Sequence, residues 1–300
     1  MNKRVLITGG TGFIGSALCA NMLDRGYELT VLSRQSAEKV RSICGEVCVV
    51  HDLESLGSDD GYQAIINLAG EGIAEKRWTE ERKQILRESR IDLTNTLTGI
   101  ISSWKNPPEV MVSGSAVGFY GDQQDKPVTE DTVPHDEFSH RLCRDWENAA
   151  LAARSLNVRV CLSRTGIVAG PGGGFLQRML MPFKLGLGGR LGTGEQFMPW
   201  IHRTDVVAAL IWMLETPEAS GAYNVVSPNP VTNREFTRCL ASTLRRPAIF
   251  PAPAPMLKLA LGEMSRLLLT GQRAIPERLN NSGFKFRFPT LDNALEDAVR

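Results

Sequence analysis

The run "VLITGGTGFIGSAL", Val5 to Leu18, most narrows what this chain can fold into. An apolar strand ends at Thr8, and Gly9, Gly12 and Gly15 punctuate the turn into a helix. Gly9 permits the tight turn. Gly12 lets the backbone approach a pyrophosphate, and Gly15 lets the helix pack close to the strand. Phosphates would then sit at the helix N-terminus, where free N–H groups and the helix dipole favour negative charge. A glycine triplet alone is a weak signal, but here the strand before it and the helix after it supply the required context.

The rest of the chain agrees with that start. Short apolar runs alternate with helical patterns. Strands are expected at "RVLIT", "YELTVLS", "VCVVH", "AIINLA", "EVMVSG", "VRVCLSRTG" and "GAYNVV", and helices over Ile14 to Arg25, Thr79 to Lys105 and Arg141 to Leu156. Continuous apolar strands separated by helices predict an α/β fold with a doubly wound parallel sheet, the NAD(P)-binding Rossmann fold. Glycine clusters "GPGGG", "GLGG" and "GTG" mark residues 170–200 as a lid or a loop approaching a ligand. After Val231 the pattern turns mostly helical, with a proline-rich break at "FPAPAP". The expected organisation is a dinucleotide-binding domain over 1–230 and a small C-terminal helical substrate lobe over 231–300.

A formal net charge of +1 argues against nucleic acid or a membrane surface as the main partner. The basic start "MNKR" leads into only three apolar residues before the glycines, too few for a signal peptide or a membrane span. Six scattered cysteines and four histidines show no zinc spacing, so no metal site is expected. Reduced thiols of that kind fit a cytoplasmic protein.

The second strand bears on the choice of dinucleotide. NAD-preferring sites end it in an acidic residue that bonds the ribose hydroxyls. Here Ser33 and Arg34 stand at that place. A carboxylate would repel a 2′-phosphate, whereas a guanidinium and a hydroxyl can bind it. NADP(H) is the expected cofactor. Asp52, after the third strand, is a candidate adenine contact or a turn cap.

With these residues in place, the chain resembles the extended short-chain dehydrogenase/reductase superfamily, which contains nucleotide-sugar epimerases. "TGGTGFIG", "NLAG", "SGSAVGFYG", "SRTGIVAGPGG" and "WIHRTDVV" look like its successive landmarks. The segments "AGEGIAEKRWTEERKQILRESRI" and "LGEMSRLLLTGQRAIPERLNNSGFKFRFPTLDNALED" resemble its "epimerase family protein" subgroup, sometimes labelled as cell-division inhibitors. The resemblance implies cofactor contacts from Gly9, Thr11, Gly12, Phe13, Ile14, Gly15, Ser33, Arg34, Leu68, Ala69 and Gly70. It places the superfamily's catalytic serine at Ser115, with Ser113 as second choice, and it makes a homodimer plausible.

One element of that pattern is missing. The superfamily's helix opens with a tyrosine that exchanges a proton, and a lysine one turn later lowers its pKa. Those positions are Phe138 and Leu142, and no tyrosine lies between Gly121 and Val160. His140, Glu71, Glu75 and Cys143 are alternative titratable groups nearby. Arg77, Trp78, Arg90, Tyr120, Phe175, Arg178, Arg190, Trp200 and His202 combine aromatic and guanidinium chemistry suited to a flat or anionic small molecule. Two classes of function follow. One is an NADP(H)-dependent oxidoreductase or epimerase with a displaced acid–base group. The other is a non-catalytic NADP(H)-binding sensor or regulator.

Overall fold

A computed structural model describes residues 3–57 and 61–300, so the first two residues of "MNKR" lie outside the described residues. Seven strands build the main sheet: β1 (Arg4–Thr8), β2 (Glu28–Leu32), β3 (Cys48–Val50), β4 (Ala64–Asn67), β5 (Val110–Ala116), β6 (Arg159–Thr165) and β7 (Gly221–Val225). All pair in parallel, in the order β7-β6-β5-β4-β1-β2-β3. The order reverses between β1 and β4, which opens a crevice at the C-terminal ends of those strands.

The helices in the first part are α1 (Phe13–Asp24), α2 (Ala37–Cys44), α3 (Glu80–Arg87), α4 (Leu93–Ile101) and α5 (Phe138–Leu151). They are followed by α6 (Gly174–Lys184), α7 (Arg203–Glu215), α8 (Asn233–Leu244) and α9 (Ala254–Leu261). α1 buries Gly15, Leu18, Cys19 and Met22, a spacing that keeps one helix face against the sheet. α1 and α7 cover one side of the sheet, while Leu97 and Ile101 of α4 and Ala150 of α5 cover the other. The sheet is therefore covered on both faces, as its continuous apolar strands require.

The helix expected over Thr79 to Lys105 is broken. A turn of π-helix, Glu88–Asp92, separates α3 from α4. The wider turn frees the carbonyl of Arg90, which accepts from Thr94 Oγ1 at 2.6 Å. The helix expected from Arg141 begins earlier, at Phe138.

The glycine-rich segment contains a helix of its own. Leu176 and Phe183 of α6 are buried with Phe236 and Leu240 of α8, Trp200, and Leu291, Leu295 and Ala298 near the C-terminus. α8 starts on a capping box made by Thr232 and Glu235. Beyond it the chain returns to the sheet. Arg273–Ala274 pairs with Pro127–Val128, Leu279 joins the sheet core, and Asp205 accepts the N–H groups of Arg287 (2.7 Å) and Phe288 (2.9 Å). Among the described residues, no helix is long and apolar enough to cross a membrane.

A buried ion pair joins sheet to helix. Arg164 of β6 donates through Nε to Glu147 Oε1 (2.8 Å) and through Nη2 to Oε2 (2.9 Å), and both side chains are almost fully enclosed. Removing one partner strands a buried charge. Arg164→Met is expected to destabilise the fold by about 3–5 kcal/mol, and pairing it with Glu147→Gln should recover part of that loss. Urea unfolding of the parent protein and the two variants measures it. A loss below about 1 kcal/mol for Arg164→Met, the range of a surface pair, would contradict this account.

Candidate functional site

The crevice between β1 and β4 widens into a cleft of about 880 Å³. Its first wall is the glycine turn. A Cβ on Gly15 would lie 2.2 Å from the Gly9 carbonyl oxygen, so only glycine lets α1 start this close to β1. α1 has no side-chain cap and no acidic residue in its first turn. Its first N–H groups are therefore available to an anion. Gly9, Gly12, Phe13, Ile14 and Gly15 line the cleft. Thr11 is part of the turn but not of that lining.

Phe13 links this turn to the glycine-rich segment. Its ring packs under Gly173 and Gly174, and Arg203 stacks over it at 4.7 Å. From α6, Arg178 Nη1 donates to the Ala74 carbonyl across the cleft at 2.5 Å. Arg178 thus forms part of the roof.

A web of buried polar groups sets the loop after β4. Thr8 Oγ1 donates to Asn67 Oδ1 (2.7 Å) and accepts from Ala69 N–H (3.1 Å). Asn67 Nδ2 donates to Thr94 Oγ1 and to Ser113 Oγ, and Trp146 Nε1 also donates to Thr94 Oγ1. Leu68 and Gly70 line the cleft as a result, while Ala69 spends its N–H on Thr8.

Arg90 enters from the π-turn. Its Nη2 donates to the Glu71 carbonyl (2.7 Å), its Nη1 to the Leu86 carbonyl (3.2 Å), and it stacks on Trp146 at 5.4 Å. A Cβ on Gly70 would lie 2.9 Å from the Arg90 Cζ, so glycine there makes room for the guanidinium. Burial pushes the Arg90 pKa down, the largest of the influences on it. No carboxylate forms an ion pair with it among the described residues. Arg90 is a cation on the cleft wall, held by backbone carbonyls.

Ser115 lies in the cleft lining and donates to Glu147 Oε1 at 2.6 Å. Ser113 is fully buried and accepts from Asn67, away from the lining. Of the two serines, Ser115 is the one that meets the cleft. Its hydrogen is committed to Glu147, so its lone pairs remain to accept from a ligand.

The dyad positions are apolar in space as in sequence. Phe138 lines the cleft with its ring edge against Trp78 at 4.9 Å, and Leu142 is 1% exposed beneath them. Cys143 also lines the cleft, but burial pushes its thiol up to about 12, so it is neutral near pH 7. His140 is turned away. Its Nδ1 meets the Phe119 carbonyl at 2.6 Å, and because a carbonyl only accepts, that nitrogen carries the proton. Its ring packs edge-on to Phe119. Glu71 faces Arg34 and Arg82, and Glu75 faces Arg82.

Other expected site residues stand elsewhere. Tyr120 is fully buried, donating to Asn224 Oδ1 (2.6 Å) and accepting from Arg164 (2.9 Å). Burial pushes its hydroxyl up to about 12. Trp200 is central to the α6–α8 core, and His202 caps α7, accepting from Thr204 N–H at 3.2 Å. Neither lines the cleft, because their short strand, Trp200–His202, faces the packing. Arg77 is exposed beside Gly262, outside the lining, whereas Trp78 is inside it. Asp52 caps a short 3₁₀ turn by accepting from Glu54 N–H at 3.0 Å. Ser33 and Arg34 follow β2, and the Arg34 side chain is 93% exposed, 3.5 Å from Glu71.

Sequence reasoning missed Glu147 and Arg164. It also missed the C-terminal contribution to the cleft, where Arg266, Leu267 and Gln272 form one side. Arg266 pairs with Glu137 at the head of α5. A charge within a continuous apolar strand, as in "VRVCLSRTG", was the available signal for Arg164.

A doubly wound sheet with a glycine turn at its first helix defines a Rossmann-type protein. Residues 5–226 match the NAD dependent epimerase/dehydratase family, and the chain belongs to that family. Residues 252–298 match a domain of unknown function, DUF1731. An epimerase family protein of Mycobacterium tuberculosis is 38% identical over 296 residues, covering 98% of this chain and 97% of that protein. The human epimerase family protein SDR39U1 is 36% identical over 300 residues, covering 99% of each. The crystal structure of human SDR39U1 isoform 2 with NADPH superposes with a TM-score of 0.89 at 35% identity, covering 98% of each chain.

His202 gives a prediction independent of any ligand. Burial, the largest influence, lowers its pKa against the opposing pull of Asp297 and Asp205. The unfolded chain therefore takes up a proton first. The His202 contribution is fully present above about pH 6.5 and declines as pH falls below it. His202→Asn keeps a capping acceptor without the titration. Its stability should fall less than that of the parent protein between about pH 6.5 and 5, measured by urea unfolding at each pH. Parallel declines in the two proteins would exclude His202 as the cause.

Proposed function

We propose that the chain binds NADP(H) in the cleft and acts as an oxidoreductase or epimerase-type enzyme on a small, anionic molecule. The observation that carries this reading is one continuous cavity. The uncapped head of α1 opens into the same cleft that Ser115 and Arg90 line. Gly9, Gly12 and the first N–H groups of α1 would hold the cofactor's phosphates. Ser33 and Arg34 would hold the phosphate on its adenosine ribose. The NADPH bound to human SDR39U1 supports the choice of cofactor.

When bound, the cofactor supplies the group that gives or takes a hydride. The chain's own residues orient the partner molecule. Ser115, its hydrogen held by Glu147, accepts from a substrate hydroxyl. Arg90 supplies the positive charge that the missing lysine would have brought, from a different element. That charge selects a carboxylate or phosphate on the substrate, or steadies negative charge as it develops on oxygen.

A second reading rests on Phe138, Trp78 and Leu142. Their packing fills the dyad positions with apolar groups, which suits a non-catalytic NADP(H) sensor. Two measurements separate the readings. Fluorescence titration should show tighter binding of NADPH than NADH, with Arg34→Ala weakening NADPH roughly 10- to 100-fold and NADH little. Equal affinity for the two cofactors would overturn the role of Arg34. Loss of NADPH absorbance is then followed with carbonyl compounds and oxidised nucleotide sugars. Turnover that falls roughly 100-fold in Ser115→Ala supports the enzyme. NADPH binding with no turnover across the panel transfers the assignment to the sensor.

A further inference from the structure

We propose that the C-terminal lobe carries a second binding site, for a phosphate monoester with a compact apolar body. A separate cavity of about 400 Å³ lies between α8 and the chain that follows it. Arg190, Arg234 and Arg238 line one part, and Ala248, Ile249 and Pro251 line another. The volume is at the small end of ligand pockets, suiting a phosphate with a modest organic group rather than a whole dinucleotide.

The charges identify the ligand class. Arg234 pairs with Glu195. Arg190 and Arg238 make no side-chain ion pair or hydrogen bond among the described residues. Arg238 also feels Glu235, whose carboxylate the Thr232 capping box holds in its ionised form. Three guanidiniums against Glu195 and Glu235 leave one positive charge, and two of the guanidiniums have no side-chain partner. A phosphate monoester, carrying about −1.5 to −2 near neutral pH, is attracted to two unpartnered guanidiniums more strongly than a singly charged carboxylate is. Arginine forks also suit phosphate oxygens. Thr237 also lines the cavity, with its hydroxyl turned into the protein rather than toward the open space. Ile249 and its neighbours then cover the organic part.

The site shares its backbone with the cleft. Leu191 and Asn233 line the cleft, while Arg190 and Arg234, next to them in sequence, line the second cavity. Leu191 N–H donates to Asn233 Oδ1 at 2.8 Å, and Arg234 N–H donates to the Gly194 carbonyl at 2.9 Å. A ligand on the arginines would brace this shared wall.

Calorimetric titration of the full chain with phenyl phosphate tests the site. Saturable binding is expected, weakened at least about tenfold in the double variant Arg190→Gln/Arg238→Gln and unchanged in Arg34→Gln. Glu195→Gln releases Arg234 and should tighten binding. Benzoate, with a similar body and a single charge, should bind about tenfold more weakly. The substituted arginines are exposed, so melting temperatures should match the parent, and NADPH titration of the double variant should be unchanged. Undiminished phenyl phosphate binding in the double variant, or its loss in Arg34→Gln, overturns the proposal. Vesicles of phosphatidic acid in phosphatidylcholine separate the two sources of phosphate. Sedimentation of the protein with them, without binding of free phenyl phosphate, would overturn the small-ligand assignment in favour of a lipid headgroup.

Discussion

The buried pair of Glu147 and Arg164 governs the floor of the cleft. Two charges taken out of water are tolerated only when their remaining hydrogen-bonding groups are satisfied. Arg164 meets that demand by donating to Tyr120 Oη and the Glu130 carbonyl and by stacking on Phe119 at 3.5 Å. Tyr120 passes the network on to Asn224 of β7. Glu147 receives the Ser115 hydroxyl as well. One ion pair thus locks β5, β6, β7 and α5 into a single geometry. Ser115 cannot rotate to donate into the cleft without leaving Glu147 short of a partner. The fold dictates that this serine accepts.

The vacant dyad has a physical counterpart. Phe138 and Leu142 join Trp78, Leu86 and Met264 in an apolar cluster that ties α5 to α3 and to the C-terminal lobe. Lys83 lies 5.2 Å above the Phe138 ring and pairs with Glu263 of the lobe. A tyrosine hydroxyl and a lysine ammonium at these positions would have to be desolvated inside that cluster. The buried cation of the cleft comes from the π-turn instead. The absence of a side chain at Gly70 admits Arg90 there. The helix whose dyad positions are apolar is also a surface on which the C-terminal segment packs.

The sheet and its glycine turn were legible because they rest on local patterns: apolar runs, helical spacing and three glycines. Arg90 was legible as a cation near the cleft. Its approach was not, because the π-turn depends on the Thr94 hydroxyl and the contacts across α4 and α5. Tyr120, Trp200 and His202 were placed by their neighbourhood, yet position along a strand does not reveal which way a side chain points in a layered core. Asp52 shows the same limit at a turn, where its carboxylate serves the backbone. Arg164 sat in plain view within an apolar strand. Its partner Glu147 lay on a helix where a glutamate ordinarily faces water, so nothing local paired them.

Phe13 extends the argument from the floor to the roof. It belongs to the first turn of α1, where phosphates are expected to rest, and its ring also supports Gly173 and Gly174 at the head of α6. α6 in turn shares its core with α8 and the C-terminal helix. A group settling on the N-terminus of α1 therefore bears on the roof through one aromatic ring. Arg178 closes the same roof from the other side, through the Ala74 carbonyl on the loop that Arg90 anchors at Glu71. The three walls are mechanically joined, so a ligand that orders one of them reduces the entropy still to be lost when a second ligand orders another.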